Sequence, residues 1–423
     1  MTKIISIFKI PDLRKKILMV GFWLLIFRVL AAIPIPGIDV SRLNELFATN
    51  QLFGFLNIFS GGGLSNLSIV MLGVGPYITA TIIMQLLTII FPQLKKAYYE
   101  EGAEGRIKFN RYSRYLTVPL AALQGYGFLN LLISKGVLGH LPPLLMTSNV
   151  LIITAGSLLL TWIGELISEY KIGNGISLII FAGIVSRLPQ DIISAVLTYT
   201  PNALPTYLAF VVLAVVVIGG VTFINEGERK IPISYAKQVR GNKLYGGVST
   251  YLPLRVNQAG VIPIIFALSF LLFPQFVAQI LAVASPSLSL HLNDWVNKFF
   301  NNIFVYSSLY FVLVVVFTYF YTAITFDPQE IAKNLQQSGG FIPGVRPGQG
   351  TAQIISRVTN RTTLSGAIFL GIIAILPYLT QIITGISSLT IGGTSLLIVV
   401  AVALEVMKQI ESQLTIREYE GII

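Results

Sequence analysis

Phe59-Ser60-Gly61-Gly62-Gly63-Leu64-Ser65-Asn66 is followed by a short run from Leu67 to Leu72, and then by Gly73-Val74-Gly75-Pro76-Tyr77. Three consecutive glycines make helix improbable, because glycine loses more backbone freedom on ordering than any other residue. Gly-x-Gly-Pro interrupts the chain again, since proline has no amide hydrogen to donate. The piece between the two breaks is too short to cross a bilayer core about 30 Å thick, which needs roughly 20 residues of helix. Irregular backbone at membrane depth persists only where protein packs around it or where it lines a watery cavity. Composition leaves two readings open: a short re-entrant half-helix sitting in a pore, or an external loop that is apolar.

Working outward, the 423 residues are 54% hydrophobic and 11% charged, with mean hydropathy +0.76. A soluble domain carries about 25% charged residues, so the pattern predicts an integral membrane protein. The absence of cysteine excludes disulfides, thiolate nucleophiles and Cys-based metal centres. His140 and His291 are the only histidines and lie outside the long apolar runs, so no metal site and no cofactor is expected. Apolar runs predict ten spans, near 17–36, 69–91, 115–134, 148–168, 175–198, 204–224, 258–284, 303–326, 362–383 and 390–410. Ile33-Pro34-Ile35-Pro36-Gly37 stands where a signal peptide would need small residues for cleavage, so the first run is read as a span. If the N-terminus is cytoplasmic, 24 of the 29 lysines and arginines fall on that side. The positive-inside rule then places both termini in the cytoplasm. Arg42, Lys135, Arg187 and Lys298 are assigned to the opposite side, and Arg28 lies within span 1.

An even count of ten allows two five-span halves, residues 1–200 and 201–423, divided at Thr200-Pro201-Asn202-Ala203-Leu204-Pro205. An odd number per half would make them an inverted pair with a functional interface near the midplane. Two long loops, 225–257 and 327–361, combine basic residues with Tyr235, Tyr245, Tyr251 and Phe341. Positive-inside bias accounts for their charge, but their length exceeds what a helix connection needs. A protruding basic surface suits an acidic or RNA-rich partner. The intramembrane ionisable residues are read as Arg28, Glu165 and Glu405, the two acids near helix ends where pairing explains them. Ion-coupled transporters carry more such groups. No Walker-A lysine and no Gly-x-Ser-x-Gly elbow occurs, so neither nucleotide hydrolysis nor serine proteolysis is expected and the chain is not read as an enzyme. A passive conduit with a regulated opening remains, and a facilitator for a neutral solute would look similar.

In order along the chain, Ser60-Gly61-Gly62, Gly75-Pro76-Tyr77-Ile78-Thr79-Ala80 and Met84-Gln85-Leu86-Leu87 resemble the plug and second span of the SecY/Sec61-alpha family of protein-conducting channels. Ile172-Gly173-Asn174-Gly175-Ile176-Ser177, Pro253-Leu254-Arg255-Val256-Asn257-Gln258-Ala259-Gly260, Pro343-Gly344-Val345-Arg346-Pro347-Gly348 and Gly392-Gly393-Thr394-Ser395 resemble it as well. The resemblance spans nearly the whole chain. It implies an all-α polytopic membrane protein whose two inverted five-helix halves surround an hourglass pore, with a re-entrant plug half-helix at about 55–68. Unfolded preproteins would cross this pore of the cytoplasmic (inner) membrane, and transmembrane segments would leave sideways into lipid.

Carried over by position, the family's pore ring falls on Ile78, Ile82, Ile180, Ile184, Ile265 and Ile398. The i,i+4 pairs Ile78/Ile82 and Ile180/Ile184 each present branched apolar groups on one helix face, and a ring of these forms a dewetted constriction. The plug carries Phe59, Ser60, Gly61, Gly62, Gly63 and Leu64, the third glycine being expected to loosen it. Gln124 and Asn257 are the polar candidates at a lateral gate between spans 2, 3, 7 and 8. Arg346 matches the arginine that engages the SecA motor or the ribosome, with Arg240, Lys243 and Arg255 adding to that surface. Implied partners are SecE-like and SecG-like subunits, SecA, the ribosome, signal peptides and the lipid bilayer. The chain after Met407 is short, so a role for a longer basic tail is reduced. A secondary transporter of a small solute and a structural scaffold are the readings from other classes. The scaffold leaves the triple glycine unexplained.

Overall fold

The computed structural model describes residues 10–36, 57, 60, 62–64, 66–99, 102–134, 136, 138, 139, 141–197, 204–235, 238–240, 243–245, 249–284, 291, 292, 295, 296, 298, 299, 302–384 and 388–420. Each predicted span falls on a helix. These are α1 (Pro11–Ala32), α2 (Gly75–Ile90), α4 (Gly102–Ser134), α5 (Pro143–Glu169), α6 (Gly175–Leu197), α7 (Leu204–Glu226), α8 (Ile262–Ala284), α9 (Ile303–Thr325), α11 (Gln349–Thr384) and α12 (Ser388–Glu420). Short α3 (Pro92–Tyr99) and α10 (Pro328–Gln337) are added to them. Among the described residues, Ile107–Ile133, Pro143–Glu169, Ile303–Gln337 and Gln349–Leu376 are long and apolar enough to cross a membrane, while Gly175–Pro189, Val211–Glu226 and Ile262–Leu271 are shorter apolar stretches.

Helix ends depart from the hydropathy boundaries for physical reasons. Helix α2 starts at Gly75, later than the apolar run, because Leu67 and Gly73 adopt left-handed backbone and Pro76 can enter only the first turn. α4, α11 and α12 run past their apolar segments into charged sequence, where water satisfies the polar face while the backbone ladder continues. Buried hydroxyls fold back on their own helices: Thr117 donates to the Ser113 carbonyl, Thr161 to Ser157 and Thr318 to Val314, at 2.6–2.9 Å. Without water this is how a lone hydroxyl avoids an unmet donor.

Contacts group the chain into two compact units, one of Met1–Leu208, Ser269–Ile303 and Val402–Ile423, the other of Ala209–Leu268 and Phe304–Ala401. In the first, α4 packs against α2, α3 and α5, and α1 against α5 and α6. Outward faces stay apolar: Leu18, Phe22, Leu25 and Val29 form an exposed stripe along α1 at helical spacing. In water such a stripe would be a liability, whereas hydrocarbon solvates it.

The α5–α6 hairpin rests on glycine. A Cβ on Gly175 would lie 1.8 Å from the Gly164 carbonyl oxygen, and one on Gly164 would lie 2.6 Å from Ile176 Cδ1. Ser168 Oγ accepts from the Gly175 amide at 2.9 Å, and Asn174 caps α6 by accepting from Ile176 and Ser177 amides at 3.0 and 3.2 Å.

In the second unit the sequence expected only loops between helices, and a small sheet is found instead. β1 (Glu228–Tyr235) pairs antiparallel with β4 (Ser249–Arg255) and with β5 (Gly340–Phe341), while β2 (Gln238–Arg240) and β3 (Lys243–Tyr245) form a hairpin. One face of the sheet carries Ile231, Ile233 and Leu254, which pack with Leu335, Ile342 and Ile355. The two long basic loops therefore share one core. Asp327 starts α10 by accepting from the Gln329 and Glu330 amides at 2.8 and 3.4 Å.

Gly175→Ala is expected to lower stability by about 3 kcal/mol, since the clashing atom is backbone and cannot rotate away. Gly21→Ala on α1, where a Cβ meets nothing within 4 Å, is expected to be neutral or stabilising by about 0.5 kcal/mol. Thermal unfolding in detergent measures both.

Candidate functional site

The glycine-rich stretch lies inside the first unit. Leu64, Leu67, Val70, Met71 and Val74 are buried at 0–1% exposure, and Leu64, Leu67 and Met71 pack among Ile35, Phe128, Leu129, Leu132 and Ile153. None of the described residues from Ser60 to Val74 lies in a regular helix, and much of their backbone is hydrogen-bonded in turns. Gly62 donates to the Asn57 carbonyl (2.9 Å), Gly63 to Ser60 (3.2 Å), Ser68 to Gly63 (2.9 Å) and Gly73 to Val70 (2.8 Å). Ser60 Oγ donates to the Asn57 carbonyl at 3.1 Å and accepts from the Leu64 amide at 3.0 Å. Nested turns thus do what a helix ladder would do.

Two contacts fasten this stretch to the surrounding helices. Beyond α1, Ile35 donates to the Leu67 carbonyl at 2.9 Å and Ile69 donates to Ile33 at 3.0 Å, flanking an antiparallel bridge between Pro34 and Ser68. On the other side, the Ile69 carbonyl approaches Gly156 of α5 so closely that a Cβ there would lie 2.1 Å from its oxygen. Gly62 sits at φ +85°, a conformation side chains with a Cβ rarely adopt. Gly63 has a packing role that its place in a glycine run does not reveal. A Cβ there would lie 2.7 Å from Ser68 Oγ and 3.1 Å from the Val70 carbonyl oxygen. Of the other candidates in this stretch, Phe59 and Gly61 lie outside the described residues, as do residues 200–203 of the division point.

Of the six isoleucines, Ile78 and Ile82 lie on α2 and Ile180 and Ile184 on α6, all in the first unit. Ile265 on α8 and Ile398 on α12 belong to the second. All are buried, at 1–5% exposure, unlike Val185 on α6, which is exposed. None of the six is a lipid-facing side chain.

Gln124 is buried on α4 in the first unit. Asn257 is buried in the second, where its amide donates to Asn225 Oδ1 at 2.8 Å and to the Gly260 carbonyl at 3.2 Å. Within that unit, Phe266 on α8 meets Phe317 and Tyr321 of α9 edge to face, at 6.0 and 6.1 Å between ring centres. α9 is tied to α11 along its length by Tyr306 against Tyr378, Phe311 over Gly371, and Tyr319 Oη donating to the Asn360 carbonyl. Glu165 pairs with Arg114 at 3.2 Å across α4 and α5.

Arg346 and Arg255 are exposed on the sheet module, Arg255 at the end of β4 opposite Glu228. Arg240 and Lys243 face each other across the β2–β3 hairpin, and their side chains lie outside the described residues. The loop that presents Arg346 is shaped by Gly344 and Gly348, both at positive φ, and Thr351 Oγ1 donates to the Arg346 carbonyl at 3.3 Å.

Arg187, which falls within the predicted span 175–198, lies in α6 and beside Gly62, where a Cβ on the glycine would be 3.8 Å from its Cγ and Cδ. It follows Ile184 and Ile180 at i+3 and i+7 on the same helix.

Buried backbone breaks, buried isoleucines and apolar outer faces mark a polytopic helical membrane protein. The family model described as SecY matches residues 68–407. The chain is 41% identical over 445 residues to "Protein translocase subunit SecY" of Mycobacterium bovis, covering 99% of each. It is 42% identical over 430 residues to the protein of that name in Thermus thermophilus, covering 99% of this chain and 96% of the relative. Among solved structures it resembles "The structure of a protein conducting channel" at TM-score 0.64 and 20% identity, covering 93% of this chain and 90% of the other. It also resembles "Sec61 in the Canine ribosome-channel complex from the endoplasmic reticulum" at TM-score 0.60 and 19% identity, with the same coverage. The chain belongs to the SecY family.

Because the natural chain has no cysteine, the bridge is directly testable. Pro34 and Ser68 occupy a non-hydrogen-bonded antiparallel position, where Cα atoms stand about 4.5 Å apart, within disulfide range. A Pro34→Cys/Ser68→Cys chain is expected to lose both free thiols on mild oxidation, as read by thiol titration. Two persistent thiols would contradict the bridge.

Proposed function

We propose that this chain is the channel-forming subunit of a protein translocase, passing unfolded preproteins across the cytoplasmic membrane and releasing transmembrane segments sideways into lipid. The observation that carries the reading is the glycine-rich stretch packed into helical protein by way of Gly156 and the Pro34–Ser68 bridge. Such a segment is held by nested turns and a few close approaches, and can be displaced as a unit without unwinding any spanning helix. Family membership and near-complete overlap with translocase subunits support the same reading.

In this account the chain does no chemistry of its own. Ser60, Gly62, Gly63 and Leu64, with Phe59 and Gly61, form the plug. Ile78, Ile82, Ile180, Ile184, Ile265 and Ile398 form the seal around it. Their burial supports the assignment, since each is too enclosed to face lipid. Branched apolar side chains repel water and ions from a narrow neck yet yield around a passing chain. Gln124 and Asn257 sit at the lateral gate, where buried amides hold helices together weakly enough to part.

Both termini lie in the cytoplasm, and the sheet module carrying Arg346, Arg255, Arg240 and Lys243 faces the same side. Its exposed arginines suit carboxylate or phosphate, which a guanidinium grips with two hydrogen bonds. The SecA motor and the ribosome are the partners assigned to it, and the likeness to a channel described in a ribosome complex supports the second. SecE-like and SecG-like subunits complete the assembly.

Conductance in planar bilayers tests the reading. The intact chain is expected to be quiet, and a chain lacking residues 57–67 to leak. Silence from both, with small solutes exchanging in liposomes, would favour a solute transporter instead.

A further inference from the structure

The last turns of α12 have no part in the plug, the seal, the gate or the docking surface, yet the first unit holds them closely. α12 is one helix from Ser388 to Glu420, grouped with the second unit up to Ala401 and with the first from Val402 onward. Two contacts fasten that later part to the turn between α5 and α6. Gln413 Nε2 donates to the Lys171 carbonyl, and a Cβ on Gly173 would lie 3.1 Å from Val406 Cγ2. Ile172 and Leu414, each next in sequence to a partner in the first contact, are buried at 3% and 5% exposure. The turn itself is stiff. Lys171 is held at φ +57°, a left-handed conformation that a non-glycine residue keeps only where its surroundings fix it. Its amide donates to the Ser168 carbonyl at 3.0 Å, while Ser168 Oγ accepts from the Gly175 amide at 2.9 Å and so ties the turn to the start of α6.

We infer that the α5–α6 turn is a seat for the end of α12, and that this seat stays closed while the pore opens. The inference rests on the pore reading above in taking Ile180, Ile184 and Ile398 as seal residues. Ile180 and Ile184 lie early on α6, just past the seat. Ile398 precedes Val406 by eight residues, about 12 Å along α12. A helix fastened at one end pivots there but cannot slide, so a seated α12 lets Ile398 swing around a passing chain and return to its place. Released from the seat, α12 is free to shift along its axis, and the seal loses Ile398. One of the two contacts is tight packing at a glycine, which no rotamer change relaxes, and this favours a fixed joint over one that parts with each passage.

The natural chain has no cysteine, so the seat can be locked. In Gly173→Cys/Val406→Cys the two Cβ atoms would stand about 4 Å apart, within disulfide range. Preprotein translocation into proteoliposomes and conductance in planar bilayers are the readouts. The oxidised pair is expected to translocate within about twofold of its reduced form and to stay quiet without substrate. Unseating is expected to do the reverse: Gln413→Ala, and Gly173→Leu more strongly, raise the open probability of the substrate-free chain, about tenfold for the second. A disulfide that stops translocation until reductant is added would overturn the inference, because the seat would then have to open. Unseated chains as quiet as the natural one, or a cysteine pair that forms no disulfide, would overturn the seat itself and leave the pore reading standing. A natural chain that translocates no preprotein and stays silent once residues 57–67 are removed would contradict the pore reading, and this inference with it.

Discussion

Everything in the first unit answers to one constraint: a peptide bond at membrane depth must find its hydrogen bonds within the protein. Most of the chain meets it with helices. From Ser60 to Val74 it does so with turns, and turns need neighbours that tolerate bare backbone at close range. Gly156 admits the Ile69 carbonyl, the chain after α1 offers Ile33 and Ile35, and Gly63 lets its own segment fold against Ser68 and Val70. These local allowances let a non-helical piece of chain remain buried with many of its described amides hydrogen-bonded.

The ten apolar runs were legible because bilayer thickness imposes a length that a window detects. The break at Phe59–Tyr77 was legible because glycine and proline punctuate any pattern. What the sequence did not reveal was the partner of each glycine. Gly175 and Gly156 look alike in sequence, as small residues at helical positions, but one faces the Gly164 carbonyl and the other the Ile69 carbonyl.

The sheet module was missed although its signal was present. Ile231 and Ile233 alternate with Lys230 and Pro232, and Leu252 and Leu254 with Tyr251 and Pro253, a period of two that marks one buried face. The positive-inside rule explained the basic residues so fully that the apolar ones between them went unused. Joining the loops through Ile355 and Leu335 gives Arg346 and Arg255 a structured base. Under the proposed docking role, an arginine on an ordered support would lose less freedom on binding than one on a slack loop.

The central claim is that polypeptide passes the six isoleucines. Photocrosslinking from a translocation intermediate stalled in proteoliposomes tests it directly, with the reactive side chain placed in turn at Ile78, Ile184, Ile265 and Ile398. Leu18 and Val212, whose side chains are exposed on the outer faces of α1 and α7, serve as comparisons. Crosslinks to the stalled chain from the four isoleucine positions, and none from the two outer ones, are predicted. Crosslinks from Leu18 or Val212 with none from the isoleucines would contradict the account.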